Sequence, residues 1–156
     1  MDNTLRMMIE EELRNSEERF RAIFELAWGA LAYIGLDGGW QRVNGSLCEL
    51  LGYSADELYG MTFQDITHPD DLPKNLELLR QLLSGHIERY VVEKRVRRRD
   101  GSHLWVRART ALQRRHQDGL PDHLSSVFED ISAEYVERER LQTRILELEA
   151  LLPQRT

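Results

Sequence analysis

Two long runs with the alternation of a β-strand, joined by a tight-turn signal, restrict the fold of this chain more than any other feature. The runs span residues 90–99 and 102–112, with Asp100-Gly101 between them. Asp-Gly between two such runs is typical of a β-hairpin. In the second run, apolar residues recur at even-numbered positions, which would point to the same face of a strand. They are Leu104, Val106, Ala108 and Leu112. The pattern therefore predicts an antiparallel hairpin with one buried face.

A third strand and a long helix follow the hairpin. A turn at residues 117–121 precedes a predicted strand at 122–129, and a charged helical stretch begins near Ser132 and is expected to end at residues 153–156. Within it an apolar seam recurs at spacings of four, three and four residues, through Leu141, Ile145, Leu148 and Leu152. This spacing is typical of a short coiled coil. A strand that runs directly into such a helix gives a change in the sheet a covalent route out of the domain.

The first half of the chain predicts a helix followed by two strands. Residues 5–27 have an amphipathic helical pattern, and residues 30–36 and 40–43 are predicted strands on either side of the turn at 37–39. With the three later strands, these form one antiparallel sheet. Helices on one face of such a sheet give an α+β fold.

Short helices are predicted between the second and third strands. Asn44 is placed to cap a helix over residues 45–51, which Gly52 ends, and Ser54 with Glu57 forms a capping box for the next. A longer helix is predicted over residues 71–83. Its expected inner side carries Leu72, Leu76, Leu79 and Leu83.

Composition limits the function classes. At 156 residues the chain suits one domain with extensions, divided into a helix at 1–27, a core at 28–131 and an exit helix at 132–156. A net charge of −6 disfavours nucleic-acid binding. The sequence has no apolar run of about 18 residues, so no membrane contact is expected. One cysteine allows no internal disulfide, which favours a reducing, cytoplasmic location.

The order and spacing of several short motifs resemble a PAS domain of the bacterial sensory type, over residues 17–132. The motifs are Glu18–Glu25, Leu36–Gly38, Val43-Asn44, Leu50–Ser54, Glu57-Leu58, Gly60, Thr67–Asp71, Arg98–Ser102, Trp105-Val106 and Glu129–Ser132. The resemblance implies a five-stranded antiparallel sheet in the order 2-1-5-4-3 and a pocket between the sheet and its helices. It also implies sensing or dimerisation coupled to an effector domain of a longer chain, such as a kinase or a cyclase.

Three polar residues are candidates for the wall of that pocket. Lys94 shares the parity of Tyr90 and Val92, so it either faces inward, where it would hold a carboxylate ligand, or packs its stem and extends its amine to solvent. The second interpretation is favoured. Asn44 is either a pocket group or only a helix cap, and the cap explains it fully. Ser126, on the last strand, is the third candidate.

Neither catalytic nor cofactor chemistry is indicated. The sequence contains no catalytic triad or P-loop, and its five histidines lack metal-ligand spacing. Cys48 lies within a predicted helix and is expected to pack there. In flavin-binding, light-sensing relatives the reactive cysteine follows the glycine that matches Gly60, but residues 61–65 contain none. The helix that carries a haem ligand in other relatives contains no histidine here. We expect no enzyme activity, metal or cofactor.

Several residues are expected to support the fold or the signal. In flavin-binding relatives, residues matching Glu57 and Arg99 form an ion pair across the pocket mouth, so we expect that pair, or a capping role for Glu57 alone. Ser132, after Asp130, is expected to cap the exit helix with its hydroxyl. Trp105 has the parity opposite to the pocket-facing residues and needs a cover on the outer face of the sheet.

The first helix is the expected cover for that face, through Phe20, Ile23 and Phe24. Leu5, Ile9 and Leu13 project beyond the sheet and, together with Phe20, are the expected interface with a second copy of the chain. The predicted function is a dimeric sensory module with a possible small-molecule ligand. The alternative is a structural dimerisation module whose pocket is filled by its own side chains.

Overall fold

The structure is a computed structural model that describes residues 2–26 and 29–153. Ala27, the expected end of the first helix, lies outside the described residues, and so do residues 154–156 of the expected helix stop. The division of the chain after residues 27 and 131 stays a prediction. In the described part, no helix is long and apolar enough to cross a membrane.

Five strands in the described part of the chain form one antiparallel sheet in the order β2-β1-β5-β4-β3. They are β1 (Ala30–Ile34), β2 (Trp40–Val43), β3 (Arg89–Arg97), β4 (His103–Arg114) and β5 (Pro121–Asp130). The predicted fold class, strand order and Asp100-Gly101 hairpin are therefore confirmed, and only strand ends differ. Gly101 has a φ of 88°, a backbone conformation that glycine adopts readily.

Six helices accompany the sheet within the described residues. They are α1 (Asn3–Leu26), α2 (Gly45–Leu51), α3 (Ala55–Tyr59), α4 (Phe63–Ile66), α5 (Leu72–Leu83) and α6 (Ser132–Ala150). The predicted capping box is present, because the Ser54 hydroxyl accepts the Glu57 N–H while the Glu57 carboxylate accepts the Ser54 N–H. Gly52 ends α2 in the left-handed conformation, as expected.

The core lies between helices α2–α5 and the inner face of the sheet. Its fully buried members include Leu47, Leu51, Leu58, Ile66, Leu82, Val92, Val96, Val106 and Leu124. The predicted inner side of α5 is confirmed for Leu79, which is buried, but it is wrong for Leu76 and Leu83, which are 38% and 37% exposed. The helix is rotated so that Asn75 and Leu82 join Leu79 on the side that faces the sheet. A polar residue therefore occupies a central position of the packed face.

The outer face is covered at two places by different helices. The end of α1 reaches β1, where Phe20 and Phe24 lie 6.1 Å and 5.4 Å from the ring of Tyr33. The expectation for Ile23 is wrong, since its side chain is 70% exposed. Trp105 is not covered by α1 either, because α6 packs against it. The charged first turns of α6 therefore occupy the place on the sheet that was expected for the apolar residues of α1.

Candidate functional site

A cavity of about 10 Å³ lies between α5 and the inner face of the sheet. We call it the inner cavity, and its polar lining residues are Asn75, Tyr90, Lys94, Thr110 and Ser126. Its other walls are apolar side chains such as Phe63 and Phe128. A space of this size holds about one water-sized group. The pocket that the resemblance implies is thus largely filled by the chain's own side chains.

Lys94 points inward and is 3% exposed. Its amine donates to Asn75 Oδ1 at 2.6 Å and to Thr67 Oγ1 at 3.2 Å, and lies 4.8 Å from the centre of the Phe63 ring. The favoured expectation of a solvent-reaching amine is wrong. Although β3 is an edge strand, α5 and the end of α4 cover Lys94 and supply oxygen acceptors. Burial lowers the pKa of Lys94 to about 7, against a smaller opposite effect of the Asp71 charge.

A chain of hydrogen bonds continues from Lys94 along the cavity wall. Asn75 Nδ2 donates to the Tyr90 hydroxyl at 3.3 Å, and that hydroxyl also bonds Thr110. The Thr110 and Ser126 hydroxyls lie 2.8 Å apart. Burial raises the pKa of Tyr90, so its hydroxyl stays protonated at neutral pH. The chain joins α5 to β3, β4 and β5 and satisfies these buried polar groups.

Asn44 does not line the inner cavity. Its side chain is fully buried and makes four hydrogen bonds to backbone groups. Oδ1 accepts the N–H groups of Leu31 and Leu47, and Nδ2 donates to the carbonyls of Phe24 and Gly29. The expected capping of α2 is confirmed, and the same side chain also fastens the end of α1 to β1.

A second cluster of polar contacts joins the outer face of the sheet to α6. Arg107 of β4 donates to Glu93 at 2.9 Å, to Glu129 at 2.9 Å and to Glu134 at 3.0 Å. We call these four residues, with Arg138, the Arg107 cluster, because Arg138 also bonds Glu93 at 3.0 Å. Hydrogen bonds from Arg138 and Arg107 lower the pKa of Glu93, so this carboxylate stays ionised.

An aromatic contact lies beside the Arg107 cluster. The rings of Trp105 and Tyr135 stack with centroids 4.0 Å apart and planes at 13°. The guanidinium of Arg95 lies 5.1 Å from the Trp105 ring, and Arg95 also pairs with Asp71 at the start of α5. The first turns of α6 therefore contact the side chains of two strands.

The start of α6 is capped differently from the expectation. Asp130 Oδ1 accepts the Ser132 N–H at 2.9 Å, whereas the hydroxyl cap expected from Ser132 is wrong. Ser132 is already the first helical residue, so its hydroxyl is not placed at the capping position. The carboxylate at the end of β5 thus holds the junction between strand and helix.

The expected ion pair between Glu57 and Arg99 is present. Arg99 Nε lies 3.1 Å from Glu57 Oε2, and the side chains are 64% and 38% exposed. The Ser54 N–H, more than Arg99, lowers the pKa of Glu57. Glu57 thus caps α3 and pairs with Arg99 at the same time.

Sequence reasoning missed Asn75, Thr110 and the Arg107 cluster. Thr110 has the parity of Ala108 and the other pocket-facing residues, so strand alternation was a usable signal for it. Asn75 lies one turn before Leu79 on the same side of α5. The spacing of the apolar residues alone does not identify this polar residue as one that faces the sheet. The Arg107 cluster joins residues 93, 107, 129, 134 and 138, whose proximity depends on strand register rather than on local spacing. The described residues contain no group of histidine, cysteine or acidic side chains that could hold a metal ion.

Comparison with known proteins agrees with this geometry. The family model described as the PAS fold matches residues 41–128. The chain belongs to the PAS domain family. This PAS domain is 37% identical over 137 residues to the probable diguanylate cyclase DgcE of Escherichia coli, across 88% of this chain and 12% of that protein. It is 36% identical over 108 residues to the C4-dicarboxylate transport sensor protein DctS of Rhodobacter capsulatus, across 67% and 16% of the two chains.

Solved PAS structures have the same fold. A sensory box histidine kinase/response regulator from Burkholderia thailandensis superposes with a TM-score of 0.67 at 24% identity, covering 85% of this chain and 99% of that one. The PAS domain of an HTR-like protein from Haloarcula marismortui gives 0.64 at 26% identity, over 80% and 99%. The PAS domain described here spans about an eighth and a sixth of the two sequence relatives, 12% and 16% of their lengths.

Proposed function

We propose that this PAS domain is a transmitting module of a larger signalling protein, in which α6 carries a change in the sheet to an effector domain. The contact that supports the proposal is the Arg107 cluster, which joins β3, β4 and β5 to the first turns of α6. The similarity to part of a probable diguanylate cyclase favours a cyclase-type effector. Any catalytic activity would then lie in that other domain.

The size of the inner cavity favours the alternative function, a structural dimerisation module whose pocket is filled by its own side chains. With a volume of about 10 Å³, it does not accommodate a drug-sized or metabolite-sized ligand, which needs a few hundred Å³. The module would then respond at its dimer interface or at the α6 contacts, and the polar chain from Lys94 to Ser126 would stiffen the sheet.

The phase of α6 tests the relay. We expect that a chimera in which this PAS domain replaces the matching segment of the Escherichia coli cyclase changes its cyclase activity severalfold when one alanine is inserted between Glu139 and Arg140. One residue rotates the following seam by about 100°. Deletion of residues 139–145 keeps the phase within about 20° and should leave activity near the parent value. Cyclase activity of the purified chimeras is the measurement.

The insertion site lies beyond Tyr135 and Arg138, so the contacts of α6 with the sheet remain in both variants. A difference between them therefore does not come from the docking of α6 on the sheet, and if the variant with the shorter helix is the one that keeps activity, the phase of the helix and not its length is what the effector requires. Equal activity of the insertion and the deletion would show that the effector does not respond to helix phase.

We further propose that the first part of α1 forms a homodimer. Between residues 3 and 25 only Phe24 is buried, whereas Leu5, Ile9 and Leu13 are 52%, 53% and 60% exposed. The outer face of the sheet has an open groove of about 720 Å³ with Val91 and Val127 in its wall. Arg89 and Arg109 also line it, which suits the acidic flanks of α1 from a second copy.

Substitution of one apolar residue of α1 tests the dimer. We expect Ile9→Glu to convert a dimer to a monomer at micromolar concentration, because a buried charge would replace an apolar contact. Multi-angle light scattering on the full chain is the measurement, and a chain starting at Glu17 should also be monomeric. Met7→Glu is the matched control, since Met7 is exposed and lies on the opposite side of the helix. A wild-type monomer would contradict the proposal.

A further inference from the structure

Lys94 is a buried amine whose hydrogen bonds go only to uncharged oxygens of the described residues, Asn75 Oδ1 and Thr67 Oγ1. The acid whose charge reaches it, Asp71, is already held by Arg95 through two hydrogen bonds of 3.0 Å to the guanidinium. An ammonium group has three N–H donors. A protonated Lys94 therefore has one donor without an oxygen acceptor and no carboxylate of its own, and only the Phe63 ring at 4.8 Å faces its charge, which is costly without a counter-ion.

The inner cavity beside Lys94 has the lining that an anion requires. The hydroxyls of Thr110 and Ser126 bond each other at 2.8 Å, and either one can be the donor. A hydroxyl proton rotates to suit its surroundings, so the second hydroxyl can turn its proton toward an anion. The Tyr90 hydroxyl belongs to the same chain. The rest of the wall, including Phe63 and Phe128, is apolar.

The size of the cavity selects the kind of anion. Its volume of about 10 Å³ corresponds to about one water-sized sphere. A carboxylate, with at least three heavy atoms in its charged group, does not fit while α5 is in place. A monatomic ion is the kind of anion that requires the least widening of this space, through rotation of the hydroxyl groups and small shifts of the surrounding side chains.

We propose that the inner cavity binds one halide ion, chloride under ordinary conditions, paired with protonated Lys94 and hydrogen-bonded by the hydroxyls of Thr110 or Ser126. The site does not depend on the relay through α6. It makes halide binding and proton uptake a single coupled event, because the ion binds the charged amine and not the neutral one. Chloride concentration would then alter the stability of the sheet that carries α6.

Asp71 and Tyr90, two titratable groups near Lys94, do not change charge in the relevant pH range. His68, beside Thr67, also acts on Asp71, so the variant Lys94→Met is needed to separate its titration from that of Lys94. From the start of α5, burial acts to raise the pKa of Asp71, but the bonds and charge of Arg95 outweigh it and lower that pKa. From β3, burial raises the pKa of Tyr90 above its usual value near 10. Between pH 6 and pH 9 the Asp71 carboxylate thus stays ionised and the Tyr90 phenol neutral, so neither of them accounts for a change in this range.

Thermal unfolding of the full chain tests the site. At pH 6, sodium chloride at ten times its dissociation constant should raise the melting temperature by about 3 °C relative to sodium gluconate at equal ionic strength. At pH 9, where Lys94 is mostly neutral, the difference should largely disappear. Lys94→Met should abolish the chloride effect at both pH values, and Ser126→Ala should weaken it. The exposed variant Lys74→Met is the matched control and should keep the full effect.

A crystal soaked in sodium bromide provides a measurement that does not depend on the stability of variants. Anomalous scattering should place one bromide within hydrogen-bonding distance of Lys94 Nζ. A chloride effect that is equal at pH 6 and pH 9, or that persists in Lys94→Met, would overturn the assignment. So would a larger stabilisation by sodium acetate than by chloride, which would identify a carboxylate site, or a soaked crystal without bromide in the cavity.

Discussion

Replacement of Asn44 by alanine should lower the free energy of unfolding by about 4 kcal/mol, because four backbone groups, two of them buried and two part-buried, lose their partner at once. Each unsatisfied buried group costs about 1–3 kcal/mol, and local loosening that admits water recovers part of the sum. The loss should concentrate at the end of α1, where the carbonyls of Phe24 and Gly29 accept from Asn44. Urea unfolding measures the total loss in the free energy of unfolding, and amide hydrogen exchange shows which part of the chain loses protection.

Two further variants separate the roles of the Asn44 side chain. Asn44→Asp keeps the acceptor for the Leu31 and Leu47 N–H groups but turns an acceptor oxygen toward the two carbonyls. It should therefore preserve the cap of α2 while releasing the end of α1. Asn15→Ala, at an exposed position of α1, is the control and should change stability by less than about 0.5 kcal/mol. An alanine variant at position 44 as stable as that control would show that the four bonds contribute nothing net.

The elements of the fold were predictable because their signals are local. Alternation in β3 and β4, the turn at Asp100-Gly101 and the cap at Asn44 each depend on residues close in sequence, and the structure confirms all three. Strand order is not local, and it came from the resemblance to PAS domains. Its confirmation rests on the pairing of β1 with β5, which lie far apart in the chain.

The site was less predictable because it depends on how the helices pack against the two faces of the sheet. The parity of Lys94 gave its direction correctly, but its exposure depends on α5, whose inner side was misplaced by about a residue. A count of leucines does not distinguish a helix that faces the core with Leu76 from one that faces it with Asn75. The prediction that α1 covers Trp105 was wrong for a similar reason. The cover is α6, a largely polar helix that is held in place by the stacking of Tyr135 on Trp105 and by the Arg107 cluster.

The stability of the protein should increase by about 2 kcal/mol between pH 7 and pH 9, as a consequence of the buried amine of Lys94. Its pKa is about 7 in the folded state and 10.5 in the unfolded chain. Between these values the unfolded chain binds more protons than the folded protein, so the free energy of unfolding rises with pH. A difference of one pKa unit corresponds to about 1.4 kcal/mol, and most of the first two pH units above 7 contribute. Below pH 6 both states are protonated and Lys94 adds no slope.

Lys94→Met isolates this contribution, because every other group titrates in both proteins. Cys48 is one such group, since burial raises the pKa of its thiol and opposes the trend at alkaline pH. Urea unfolding in a halide-free buffer at pH 7, 8 and 9 should therefore give a difference between wild type and variant that grows toward alkaline pH. The variant loses the hydrogen bonds to Asn75 and Thr67. This loss shifts its free energy of unfolding by the same amount at every pH and leaves the dependence on pH unchanged. Parallel curves for the two proteins would mean that Lys94 ionises as freely inside the core as in water, and the buried position of its amine would then be wrong.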